Sequence, residues 1–146
     1  MTAERAGVAA ADTRLDEADY RALAAFRAEL RRFLRFSEEA ARLAGVTPQQ
    51  HQVLLAVRGH PGPDGPSVSD LADALGLRLN STTELVARTA AAGLLTRTTD
   101  EGDRRRTLCH LTPAGDDVLG HLTTEHRTEL RRLRDVVDRL THLDPT

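Results

Sequence analysis

Asp103 is followed directly by Arg104, Arg105 and Arg106 in the stretch TTDEGDRRRTLCHLT, residues 98–112. A guanidinium is a planar fork of donors that fits a phosphate or a base edge bidentately. Three adjacent cations repel one another, so a run of them on a turn argues for countercharge supplied from outside. A narrow DNA minor groove attracts inserted arginine through its enhanced negative potential, and backbone phosphates attract it less selectively. Asp103 is placed to pair with Arg105 and hold its guanidinium outward, which leaves Arg104 for a phosphate. The plainer alternative is a solvated turn with a surface ion pair worth about 0–1 kcal/mol.

A second group of polar residues lies upstream, Arg78, Asn80, Ser81, Thr82, Thr83 and Glu84 within RLNSTTE. Asparagine bonds bidentately to adenine, serine and threonine reach phosphates or bases, and glutamate accepts from the cytosine amino group. Asn80 and Ser81 are equally suited to cap a helix. Arg88, one turn past Glu84, is placed either to reach a phosphate or to pair with Glu84.

The elements that carry these groups follow from periodicity. Tyr20, Leu23, Phe26, Leu30, Phe33 and Leu34 step at three and four, which predicts a long helix over about 17–44 capped by Gly45. Thr47-Pro48-Gln49-Gln50 is a capping box with proline at the first helical position, and the helix it opens ends near Gly59. HPGPDGP, residues 60–66, is a loop. Ser67 with Asp70 opens a short helix closed by Gly76, and Asn80-Ser81 opens the next, closed by Gly93. Two short helices joined by a tight turn make a helix-turn-helix. Two strands around Asp100-Glu101-Gly102-Asp103 read as a hairpin. Thr112-Pro113 then opens a last helix with Leu119, Leu122, His126, Leu130, Leu133, Val137 and Leu140 near a heptad seam.

The expected fold is therefore mainly α with a small β hairpin, an α+β winged helix-turn-helix with long N- and C-terminal helices. Residues 1–16 read as a polar, disordered arm, and 17–146 as a single domain. Within it, 17–59 and 113–142 supply dimerisation and ligand-cleft helices, and 67–112 the DNA-binding unit. A lone small domain has little core with which to cover two long apolar stripes, so a two-fold homodimer is expected. Its interface falls on Tyr20, Leu23, Leu122, His126, Leu130, Leu133, Val137 and Leu140. Between seam and core, His126 fits either. A pocket, if the first two helices form one, falls on Phe33, Phe36, His51 and Leu55, residues that make an equally good core.

Composition narrows the class. The 146 residues carry a net charge of −2 and all 20 basic residues are arginine. From Ser67 to Thr112 there are six arginines and six acids, so any DNA binding must rest on local clustering and geometry. No run reaches the ~20 apolar residues that span a membrane, and the N-terminus lacks an apolar block of signal-peptide length. Together with the single cysteine, Cys109, this predicts a cytoplasmic protein. Cys109 fits a small core residue better than a redox sensor. The histidines form no metal signature, and there is no phosphate loop, nucleophile–base motif or carboxylate pair. No cofactor, no metal and no enzymatic activity are expected.

The chain resembles the multiple antibiotic resistance regulator (MarR) family of bacterial transcription factors over about residues 17–142. SVSDLADALGLRLNSTTELVARTAAAGLL resembles the family's helix-turn-helix. DEGDRRRTLCHLTPAG resembles its wing, with Asp103-Arg104-Arg105 as the D-x-R element and Leu111 to Gly115 as L-T-x-x-G. The resemblance implies a homodimer joined by the first and last helices, acting as a repressor on a pseudo-palindromic operator in double-stranded DNA. It implies Arg105 in the minor groove and residues 78–84 in the major groove. Many members release DNA on binding a small, often aromatic ligand. Others sense cysteine oxidation, usually near the start of the first helix, where Cys109 does not stand. Arg78, Leu79, Glu84 and Thr89 depart from the family's usual residues. The neutral unit and Glu84 also fit a second reading, a dimeric protein-interaction module with a weakened DNA face.

Overall fold

The computed structural model describes residues 15–140 and residue 143. The elements run α1 (Glu17–Leu43), α2 (Pro48–Arg58), α3 (Val68–Leu75), α4 (Leu79–Ala91), β1 (Leu95–Thr99), β2 (Thr107–Leu111) and α5 (Pro113–Asp138). This is the α+β winged helix expected from the sequence.

Start signals act as their chemistry requires. Asp16 and Asp19, Thr47 and Gln50, and Ser67 and Asp70 each form a reciprocal capping box. The expected arm over 1–16 lies outside the described residues apart from Leu15 and Asp16, and Asp16 belongs to the helix as its cap. Gly45 at φ 84° and Gly93 at φ 80° end α1 and α4, turning the chain so that Val46 N–H reaches Ala41 O and Leu94 N–H reaches Thr89 O. Both turns drive the next apolar residue, Val46 or Leu94, into the core.

One start differs. Helix α4 begins at Leu79, with extended Arg78 as its N-cap and no side-chain cap hydrogen bond. Asn80 and Ser81 are therefore first-turn residues, and their side chains are not used as caps.

The core gathers Ala41, Val53, Leu54, Leu71, Val86, Leu95, Cys109 and Leu122, so that every helix and both strands contribute to it. Leu122 and His126, assigned by periodicity to a dimer seam, point into this protomer instead: both are buried. A stripe spaced three and four has two edges, and here α1 and α2 cover one of them. Leu130 and Val137 stay 46% and 43% exposed, Tyr20 and Leu23 are also exposed, and Leu133 and Leu140 are half-buried. The last helix stops at Asp138, short of 142, and residues 141–142 lie outside those described.

The hairpin pairs Leu95 with Leu111 through Thr99 with Thr107. Its tip spans 100–106, longer than the four-residue turn expected. A lone bridge between Ser67 and Leu108, with Cys109 N–H bonded to Pro66 O at 2.9 Å, adds the segment before α3 to the sheet. Gly65 is required there, since a Cβ would overlap the Cys109 carbonyl oxygen.

Candidate nucleic-acid interface

Helix α4 turns Thr82, Leu85, Val86 and Thr89 inward. Thr82 is fully buried and its hydroxyl donates to Arg78 O at 2.9 Å, so it cannot meet a base and leaves the expected contact set. Its spacing of three, four and seven residues from Leu85, Val86 and Thr89 carried the signal for this inner face, which its polar hydroxyl masked. Thr83 is exposed, with its hydroxyl donating to Leu79 O at 2.9 Å. Arg78, Asn80, Ser81, Glu84 and Arg88 are exposed. Glu84 and Arg88 form no ion pair, and among the described residues no cation lies within ion-pair distance of Glu84.

At the wing, backbone hydrogen bonds fix the tip. Asp100 N–H donates to Arg106 O and Arg106 N–H to Asp103 O, both at 2.9 Å. The Asp100 carboxylate takes Gly102 N–H at 2.9 Å, and the Asp103 carboxylate takes Arg105 N–H at 3.1 Å. Asp103 thus holds the backbone of Arg105, not its guanidinium as the sequence suggested. An aspartate two residues before an N–H closes a local ring more readily than it reaches a flexible head. Among the described residues, no carboxylate lies within ion-pair distance of Arg104 or Arg105.

The third arginine behaves differently. Arg106 pairs with Asp70 at 3.4 Å, across from the N-terminus of α3. Asp70 was legible as a capping residue, but its second partner was not, being 36 positions away. The Asp70 carboxyl lies below the usual aspartate range because Ser67, through its backbone N–H and then its hydroxyl, stabilises the anion, with Arg106 adding to it. A groove of about 590 Å³ joins the two surfaces, bordered by Ser69, Leu79, Thr83, Arg105, Arg106 and Thr107.

A separate cluster lies between α1, α2 and α5. Phe33, Phe36 and His51 surround His126, with ring centroids 5.8, 5.2 and 5.2 Å away. His126 Nδ1 donates to Leu122 O at 2.6 Å, and its Nε2 lies 2.9 Å from the Ser37 hydroxyl. Burial, and then the charge of His126, push the His51 pKa down. Three of the four expected pocket residues therefore meet, with His126 and Ser37 added. Leu55 does not join them, being 54% exposed elsewhere on α2. Beside the cluster, a groove of about 320 Å³ is lined by Phe36, Glu39, Ala40, Leu43 and Glu125. Among the described residues, no group of histidine, cysteine and carboxylate side chains is arranged to hold a metal ion. Cys109 is fully buried, and burial raises its thiol pKa.

Comparison with known proteins agrees with this architecture. A MarR family model matches residues 44–106, from the end of α1 to the last wing arginine. A protein of Thauera aromatica, assigned as a transcriptional regulator of the hcr operon, is 31% identical over 96 residues, 66% of this chain. The match spans 56% of that relative's length, little more than half. The crystal structure of AbsC, a MarR family transcriptional regulator from Streptomyces coelicolor, superposes with a TM-score of 0.69 at 23% identity, covering 90% of each chain. The MepR–DNA complex of S. aureus superposes with a TM-score of 0.66 at 21% identity, covering 77% of this chain and 82% of MepR. At such identities the two structures speak for the fold. The family model spans the helix-turn-helix and most of the wing, and the five-helix and hairpin architecture around them is the fold of the solved MarR family regulator, so this chain is similar to the MarR family in both sequence and fold.

Proposed function

We propose that this protein is a sequence-specific, DNA-binding transcriptional regulator that works as a cytoplasmic homodimer. The observation that carries the reading is the juxtaposition of two exposed surfaces. One is the outer face of α4. The other is a wing tip whose Arg104 and Arg105 meet no carboxylate among the described residues. A helix presented for a major groove beside a cationic hairpin is the geometry of a winged helix on duplex DNA. MepR, of the same fold, has been solved with DNA.

In this reading α1 and α5 join two protomers through Tyr20, Leu23, Leu130 and Val137, whose exposure leaves apolar surface to cover. The dimer represses from a pseudo-palindromic operator. The groove beside Phe36 and the aromatic cluster admits a small aromatic effector that releases the DNA. No described helix is long and apolar enough to cross a membrane. A second reading, a dimeric protein-interaction module, draws on the balance of six arginines and six acids over residues 67–112.

Fluorescence anisotropy with duplex DNA from upstream of the protein's own gene, against a scrambled duplex, separates the two. The proposal requires preference for the upstream duplex. Equal, weak binding to both favours the interaction module.

A further inference from the structure

Glu84 is a carboxylate placed where a DNA-binding helix ordinarily gains from positive charge. The buried stripe of α4, Thr82, Leu85, Val86 and Thr89, sets one side of the helix. At about 100° per residue, Asn80 and Glu84 stand diametrically opposite that stripe. Ala87 and Ala91 share the same pole, and their side chains are too short to screen Glu84 or to hold the helix away from a groove floor. No cation among the described residues is within ion-pair distance of Glu84, and Arg88, one turn on, is not paired with it.

We infer that Glu84 is the base-discriminating residue of α4, accepting from the exocyclic amine of one cytosine per half-site and rejecting the other bases there. The inference rests on the DNA reading proposed above. A carboxylate carried between phosphates loses water and meets repulsion unless a donor faces it. In the major groove only cytosine N4 and adenine N6 donate, whereas guanine shows N7 and O6 and thymine shows O4, all acceptors. Adenine N6 sits beside N7, which repels the second carboxylate oxygen. Cytosine N4 has no acceptor on that side. Asn80, one turn earlier and carrying both a donor and an acceptor, suits the adenine pair instead. Glu84 thus trades affinity for selectivity, in keeping with a reading unit that has no net charge.

The test is selection from a randomised duplex library with the full chain, as wild type, Glu84→Ala and Glu84→Gln. Thermal melts confirm that the variants fold, since the side chain is exposed. Wild type should fix a C·G pair at one position of each half-site. Glu84→Ala should lose that preference by about ten-fold at that position alone and bind random duplex more tightly. Glu84→Gln should move the preference to adenine at the same position. Identical selected motifs in all three proteins would overturn the role of Glu84 while leaving the DNA reading intact. A wild type that enriches no sequence would overturn both.

Discussion

One carboxylate oxygen, Asp70 Oδ2, lies 3.4 Å from Arg106 Nη2 and accepts the backbone N–H of Ser67 at 2.9 Å. The N-cap of α3 and the base of the wing therefore share an atom. Ser67 is also bridged to Leu108 in β2, so the connection runs through backbone and side chain together. Of the three consecutive arginines, one anchors the wing and two are left at the tip.

From this we predict that Asp70→Asn and Asp70→Ala separate two roles. Asparagine keeps a cap acceptor and loses the ion pair, which is half-exposed and worth under about 1 kcal/mol. Alanine also loses the cap, for about 1 kcal/mol more. Urea unfolding of both variants and of Arg106→Ala measures the difference. Equal stability of Asp70→Ala and wild type would contradict the shared role.

Thr112 and Gly115 fix where α5 leaves the wing. The Thr112 hydroxyl donates to Gly93 O at 2.6 Å, its N–H donates to Leu94 O at 3.1 Å, and Gly115 N–H returns to the hydroxyl at 3.1 Å. A Cβ on Gly115 would overlap the Leu94 carbonyl oxygen. Gly115→Ala should cost about 1–3 kcal/mol through overpacking against backbone that cannot step aside. A denaturation midpoint unchanged by this substitution would show that the helix start shifts freely.

His51 makes stability depend on pH. Its pKa is lowered in the folded protein by burial and by His126, so near its unfolded value of about 6.5 the unfolded chain binds more protons. Folding free energy is then fully available above that pH and declines as the pH falls through about 6.5. His51→Gln should flatten this part of the profile. Urea midpoints between about pH 8 and 5.5, spanning the unfolded histidine pKa, test it. A wild-type profile that His51→Gln leaves unaltered would assign the dependence to another group.

Dimerisation, if it uses the exposed edge of the α5 stripe, should fail when that edge is charged. Leu130→Asp with Val137→Asp alters two side chains that are 46% and 43% exposed in the protomer. Sedimentation equilibrium should then find monomers that retain helical content. Deleting residues 116–146 is a poorer test, because it also removes Leu119 and Leu122 from the core.

Much of the fold was legible because its boundaries are written in short local patterns. Ser67 with Asp70, Thr47 with Gln50, and the glycines at 45, 76 and 93 mark helix ends through hydrogen bonds that span only a few residues. What was illegible depended on the third dimension. The same period of three and four that put His126 and Leu130 on one stripe could not say that His126 faces Phe33 and Phe36 while Leu130 faces outward. Thr82 was different: it lies three, four and seven residues before Leu85, Val86 and Thr89, so helical spacing places it on their inner face, and its hydroxyl obscured that signal. The pairing of Arg106 with Asp70 joins two patterns that were each read separately.

The central claim is that the wing tip touches DNA, and Arg105→Ala across a salt series tests it most directly. The affinity of wild type for the upstream duplex, measured by anisotropy at several salt concentrations, should fall linearly on a double-logarithmic plot. Arg105→Ala should weaken binding about ten-fold and make the slope shallower by about 1, the share of one neutralised phosphate. A variant with the affinity and slope of wild type would mean that Arg105 meets no DNA, and the wing would then need another partner for its two tip arginines.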